Sequence, residues 1–239
     1  MADSPAKRHF QRMLAAQEAA SKAPHELMDG ATAYEQHMAQ LQSDRLRLKQ
    51  VQSAQAKAEL KRDMLPAYGN YVAGVIEAGK GTPDEVLTTT MLWSIDVGAF
   101  DEALCIAEYV LRHGLAMPDR FERTTGCLVA EEIAEAALKA QKVGEQFNAG
   151  ILARAASLTA AEDMPDEVRA KLHLALGRAL LSGVTDEALP PGSDVQAGVD
   201  NLKRAIDLHS SCGGKKDLER AERLLKKHAV PPPSPGANS

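Results

Sequence analysis

The sequence contains few aromatic residues, few cysteines and no long apolar run. Only 4% of its 239 residues are Phe, Trp or Tyr. The abundant residues are instead Ala, Leu, Glu, Lys, Arg and Gln, which lose little side-chain freedom in a helix. No segment approaches the roughly 20 apolar residues that would span a bilayer. We therefore expect an all-α protein that is neither secreted nor inserted in a membrane.

The three cysteines, Cys105, Cys127 and Cys212, are far apart in the chain. They form no CxxC pair and have no nearby histidine cluster, so their spacing indicates neither a structural zinc site nor a disulfide framework. A reducing cytoplasm fits this pattern.

Charge is distributed unevenly along the chain, although the net charge is −5. Residues 1–65 carry 10 Lys or Arg against 8 Asp or Glu, residues 66–185 carry 10 against 17, and residues 186–239 carry 8 against 8. An acidic surface repels phosphate, so the two ends and not the middle are predicted to meet DNA.

Turn signals and composition predict four segments. They are an N-terminal helical arm for DNA binding or oligomerisation (1–65), an acidic core of helical hairpins (66–185), a C-terminal helical hairpin (186–230) and a disordered proline-rich tail (231–239). The hairpins are similar to tetratricopeptide hairpins, although the period of 34 residues is not kept.

Basic side chains cluster on three predicted helices. One helix begins after Ser4 as its N-cap, a second covers residues 31–64, and the last follows a Gly-Gly turn. Each cluster can contact backbone phosphate, and none is a signature for reading bases. In the last helix, pairing with acidic residues at helical spacing is an alternative explanation. The predicted DNA-binding residues are Lys7, Arg8, Arg12, Arg45, Arg47, Lys49, Lys215 and Lys216, with Arg220, Arg223, Lys226 and Lys227 following in the last cluster.

Apolar residues in the second predicted helix recur with a heptad period. Tyr34, Leu41 and Leu48 are seven residues apart, and Met38 fills an intervening position, which predicts an oligomerisation seam. The seam fails beyond Leu48, where polar residues take the core positions. A helix packed on its own domain explains the same pattern.

Acidic residues of the middle segment are the only candidates for catalysis. A metal-dependent nuclease needs carboxylates that converge on one or two Mg²⁺ ions, and Asp96, Asp101 and Glu102 are the candidates, beside Asp84 and Glu85. Helix capping and the helix dipole explain acids at these positions without a metal, and we favour that explanation. We therefore expect no cofactor, with Mg²⁺ required only if the nuclease alternative holds.

Several segments together carry a family resemblance. The central ones are Leu65–Tyr68, Met91–Gly98, Asp101–Leu104 and His113–Phe121, and the outer ones are Ser4–His9, Asn201–Ile206 and Gly213–Arg220. They resemble the GpM-type terminase small subunits of temperate tailed phages, and the similarity spans almost the whole chain.

The resemblance implies a small subunit of a viral DNA-packaging terminase. Such a protein recognises the packaging site on concatemeric double-stranded phage DNA and regulates a large ATPase subunit in the host cytoplasm. The resemblance also implies a ring-forming homo-oligomer and an endonuclease label, which we expect to describe the two-subunit complex. Two alternatives stay open: a metal-dependent DNA endonuclease subunit, and a helical protein-interaction scaffold that does not touch DNA.

Overall fold

The computed structural model describes residues 4–23, 30, 32–117, 123–190 and 193–228, and throughout these ranges the only regular structure is helical. This confirms the all-α prediction, whereas the tetratricopeptide-like arrangement stays a prediction. The proline-rich tail lies outside the described residues. The helices are α1 (Pro5–Ser21), α2 (Thr32–Gln50), α3 (Ala54–Met64), α4 (Gly69–Ala78), α5 (Glu85–Asp96), α6 (Phe100–Arg112), α7 (Thr125–Lys142), α8 (Ala149–Leu158), α9 (Asp166–Leu180), α10 (Val195–Leu208) and α11 (Lys215–His228).

Local capping sets where several helices begin. The Ser4 hydroxyl accepts a hydrogen bond from the Lys7 amide at 3.2 Å, which confirms the predicted start of α1. At α5 and α10, the carboxylates of Asp84 and Asp194 accept amide hydrogen bonds in the same way. Such caps satisfy amides that have no partner within the first turn of a helix.

The single helix predicted over residues 31–64 is wrong. The chain leaves helical geometry at residues 51–53, and α3 starts anew with Ser53 as its N-cap, whose hydroxyl accepts from the Ala56 amide at 3.3 Å. The serine offers the backbone an alternative to continuing the helix. The break lies just beyond Leu48, where the heptad pattern fails in the sequence.

The chain folds into two compact units. Unit 1 comprises Met1–Ile133 with Ser157–Met164, and unit 2 comprises Ala134–Ala156 with Pro165–Ser239. These units are defined by how the chain packs, so the four segments predicted from composition and charge stay a prediction about function.

In unit 1, helix α1 packs closely on α4, and α5 packs on α6. The first contact depends on small residues: a Cβ at Gly74 would lie 2.4 Å from the Arg12 carbonyl oxygen and 2.9 Å from the Ala15 Cβ. The core beside these helices is large and apolar, and its most deeply buried side chains include Tyr68, Tyr71, Leu41, Leu87, Met91 and Leu104.

In unit 2, α10 packs between α9 and α11. Its buried cluster includes Leu174, Val199, Leu202, Ala221 and Leu224. Within the described ranges, no helix of either unit is long and apolar enough to cross a membrane.

Candidate nucleic-acid interface

Helix α11 separates an apolar face from a basic face. Ala221 and Leu224 are 0% and 1% exposed and point into the core of unit 2. The basic face, defined by the solvent-exposed residues Lys216, Arg220, Arg223 and Lys227, follows the helical spacing of four, three and four. Lys215 and Lys226 are also exposed.

Two of the three acidic residues of α11 are held by other helices. Asp217 forms an ion pair with Arg178 of α9, with Nη2 and Oδ2 2.7 Å apart. Glu222 forms an ion pair with Lys203 of α10, with Nζ and Oε1 3.1 Å apart. These two acids therefore pair with α9 and α10, whereas the alternative explanation from the sequence expected them to pair within α11. Glu219 is the one acid of α11 that is exposed.

Two members of the basic face also make contacts with the loop that precedes α10. Arg220 donates to the Val184 carbonyl oxygen at 2.7 Å, and the Lys227 Nζ lies 3.2 Å from a carboxylate oxygen of Asp186. For Lys216 and Arg223, by contrast, the structure shows no carboxylate partner among the described residues. These two are the best placed to contact phosphate.

The predicted cluster on α1 is less uniform. Lys7, Arg8 and Arg12 are all exposed. The Arg12 guanidinium is paired with Glu77 of α4, with Nε to Oε2 at 2.8 Å and both side chains half exposed. Arg12 therefore helps to fix α1 on α4, and Arg8 extends into solvent near the helix start.

The predicted cluster on α2 divides into structural and solvent-facing groups. Arg45 donates to the Thr89 hydroxyl at 2.8 Å and pairs with Glu85 at 2.7 Å, so it joins α2 to α5. Arg47 pairs with the buried Asp44 at 2.9 Å. Lys49 is exposed.

The predicted oligomerisation seam lies along the inner side of α2. Leu41 is 0% exposed and Leu48 is 8% exposed within a single chain, whereas Tyr34 and Met38 are half-buried. Intramolecular packing thus accounts for the two leucines. A role of the four residues in oligomerisation stays a prediction.

The predicted catalytic acids do not converge. Asp96 at the end of α5 pairs with Lys61 of α3, and Asp101 and Glu102 lie exposed in the first turn of α6. The N-cap of α6 is Ala99, so Asp101 does not cap this helix. Among the residues that the structure describes, no group of three His, Cys, Asp or Glu could hold a metal ion.

A buried polar network that the sequence did not predict lies beneath α2. The Tyr71 hydroxyl donates to Asp84 Oδ2 at 2.5 Å, and the Tyr68 hydroxyl donates to Asp44 Oδ2 at 2.7 Å. The His37 ring stacks on Tyr71 with centroids 4.5 Å apart. Burial raises the pKa of Asp84 to about 6, while the hydrogen bonds from Tyr71 and the Leu87 amide oppose this shift. Because the acid caps α5 and its partner is a tyrosine, the network is structural.

Comparisons with known proteins agree with the family resemblance. Residues 38–167 match the model of a family described as phage small terminase subunit. The chain is also 41% identical over 230 residues to the "Terminase, endonuclease subunit" of Escherichia phage P2. The aligned region covers 96% of this chain and 89% of that relative. No solved structure matches the chain. The chain therefore belongs to the phage small terminase subunit family.

Proposed function

We propose that this protein, as the small subunit of a viral DNA-packaging terminase, contacts the packaging site on phage DNA through the basic face of α11. Family membership supports the packaging role. The observation that favours α11 is that Asp217 and Glu222 pair with other helices, while Lys216 and Arg223 have no carboxylate partner among the described residues.

Helix geometry makes this face suitable for a DNA backbone. Residues at spacings of three and four line one side of a helix at intervals of about 5–6 Å, so several can reach neighbouring phosphates at once. Neutralised phosphates release counterions, which favours binding at low salt. Helix α1 supplies a second basic surface at Lys7 and Arg8, and we assign it a supporting role.

Weak DNA contacts from single subunits add up to tight binding when several subunits of an oligomer bind the same DNA. We propose that the protein forms a homo-oligomeric ring in the host cytoplasm, where it engages double-stranded DNA and the large ATPase subunit. Each additional subunit bound to the same DNA acts at a high effective concentration, so avidity replaces a strong single patch. Native mass measurement tests the oligomer, and a strictly monomeric protein would contradict it.

The relative from phage P2 carries an endonuclease name, and we propose that cutting belongs to the complex of both subunits. The pairing of Asp96 with Lys61 supports this assignment, since a carboxylate engaged by an ammonium group is a poor metal ligand. Mg²⁺-dependent nicking by the isolated protein, lost in a folded Asp96→Asn or Asp101→Asn variant, would overturn it.

A mobility-shift assay on packaging-site DNA tests the α11 proposal. A Lys216→Glu/Arg223→Glu variant should lose the shift because like charges repel phosphate, whereas Lys139→Glu, which changes an exposed lysine near the end of α7, should bind as the wild type does. Both variants are first matched to the wild type by circular dichroism and thermal melting. An unchanged shift in the α11 variant would refute the assignment.

The same assay separates DNA recognition from the scaffold alternative. If the α11 variant still co-elutes with the large subunit while it loses DNA, the protein is more than a scaffold. If the wild type never retains packaging-site DNA, even at low salt, but binds the large subunit, the scaffold alternative replaces our proposal.

A further inference from the structure

An open groove of about 540 Å³ runs along unit 1, lined by α2, α3, α5 and the first half of α7. Its floor is apolar and comprises Leu48, Leu92, Trp93 and Leu128. Three of these residues are buried, with Leu48 at 8%, Trp93 at 6% and Leu128 at 7% exposure. Leu92 is half-buried. The groove therefore offers a shallow apolar surface that a complementary side chain can cover.

The rim of the groove is mainly basic. Arg45 and Lys49 lie on the α2 side, Lys57 and Lys61 lie on the α3 side, and Asp96 and Glu132 are the acidic lining residues. Arg45 and Lys61 are already paired with Glu85 and Asp96. Lys49 and Lys57 have no carboxylate partner in the part of the chain that the structure describes. Two ammonium groups are thus available above an apolar floor.

The floor is held in place before any partner arrives. The Trp93 indole meets Tyr68 edge to face, with ring centroids 6.0 Å apart, and the Tyr68 hydroxyl is fixed by Asp44 at 2.7 Å. Asp44 is itself 4% exposed and pairs with Arg47. Because these contacts already fix the floor, binding a partner there loses little conformational entropy of the floor side chains.

We propose that this groove docks an acidic segment of the large terminase subunit, with apolar side chains on the face that covers Leu92 and Trp93. The proposal rests on the proposed function, since it takes the other subunit as the partner. Charge complementarity selects the occupant: the two unpaired lysines meet its carboxylates, and the apolar floor meets its apolar face. Duplex DNA fits less well, because its backbone offers no apolar group to cover the floor.

The test uses the full-length protein, the purified large subunit and packaging-site DNA. A Lys49→Glu/Lys57→Glu variant places repulsive charge on both sides of the groove, so we expect its Kd for the large subunit to rise by about tenfold or more. DNA affinity should stay within about twofold of the wild type, since the proposed DNA contacts lie on α11 and α1, and Lys49, which the sequence predicts to bind DNA, is assigned to the groove instead. Lys80→Glu, a change of an exposed lysine in unit 1 that does not line the groove, is the matched control.

The outcomes separate this proposal from the DNA assignment. Weaker binding of the large subunit by the folded groove variant, with DNA binding retained, supports docking in the groove. Unchanged binding of the large subunit overturns it, even if the α11 variant behaves as expected. A loss of DNA binding instead makes the groove part of the DNA surface and also overturns docking. If charge reversal unfolds the protein, Lys49→Gln/Lys57→Gln replaces it, with a flatter salt dependence of large-subunit binding as the expected result.

Discussion

Tyr71 donates a 2.5 Å hydrogen bond to the carboxylate of Asp84, whose other oxygen accepts from the Leu87 amide at 2.9 Å. Tyr71 lies in α4 and Asp84 caps α5, so one carboxylate fixes the start of α5 against its neighbour. Helix α5 in turn supplies Leu92 and Trp93 to the groove floor. The position of the groove therefore depends on an acid whose burial the sequence does not predict.

Asp84 should give the fold a measurable pH dependence. Burial raises the pKa of this carboxyl from 3.8 to about 6, so the folded chain holds the proton more tightly than the unfolded chain does. Protonation therefore stabilises the fold: the contribution is greatest below the unfolded pKa and is lost as the pH rises through about 6.

Asp84→Asn removes this titration. We expect the free energy of unfolding of the wild type, relative to the variant, to increase by about 1 kcal/mol between pH 7 and pH 5. Urea denaturation at both pH values measures the difference. A relative stability that is constant or falls over this range would contradict the burial of a titrating Asp84.

The α1–α4 contact should not accept a methyl group at Gly74. A Cβ there would meet the backbone of α1 at 2.4 Å, so Gly74→Ala should destabilise the protein by about 1–3 kcal/mol. Gly69→Ala is the matched control, because a Cβ added at this position would have nothing within 4 Å and the first turn of α4 is helical. Thermal melting compares the two variants. Equal melting temperatures would mean that α1 does not pack on α4 as described.

Arg45 should contribute to stability and not to DNA affinity. Arg45→Gln removes the ion pair with Glu85 and disturbs the bond to Thr89, so we expect a loss of about 1 kcal/mol in unfolding free energy. Lys49→Gln, at an exposed lysine, should change stability little. Denaturation and a DNA mobility shift are measured on both. A variant of Arg45 that folds normally but binds DNA weakly would restore it to the DNA surface.

The sequence predicts the positions of the helices better than the contacts between them. Composition and capping residues such as Ser4 and Asp84 predict where helices lie, because these signals are local. The break at residues 51–53 is signalled only by the loss of the heptad pattern beyond Leu48, because the residues on both sides of Ser53 favour a helix. The close contact of α1 with Gly74 is hidden for another reason, since it joins residues about 60 positions apart and no local pattern encodes it.

The candidate sites show the same division. The basic residues of α11 can be identified in the sequence. The sequence does not show that Asp217 and Glu222 pair with Arg178 and Lys203 of other helices and not with these basic residues. The structural role of Arg45 likewise depends on Glu85, 40 residues further along the chain. The sequence does not identify Lys57 as a candidate binding residue. Its proposed role depends on residues of α2 and α5 that line the same groove, and they are close to Lys57 only in the folded chain.

The most direct test of the DNA assignment is the salt dependence of packaging-site binding. The slope of log K against log salt concentration reports the number of neutralised phosphates. For Lys216→Gln/Arg223→Gln we expect a slope that is shallower by about 2 than that of the wild type, with one unit for each lost phosphate contact. A slope equal to that of the wild type, in a variant that folds and oligomerises normally, would show that α11 does not contact the DNA backbone.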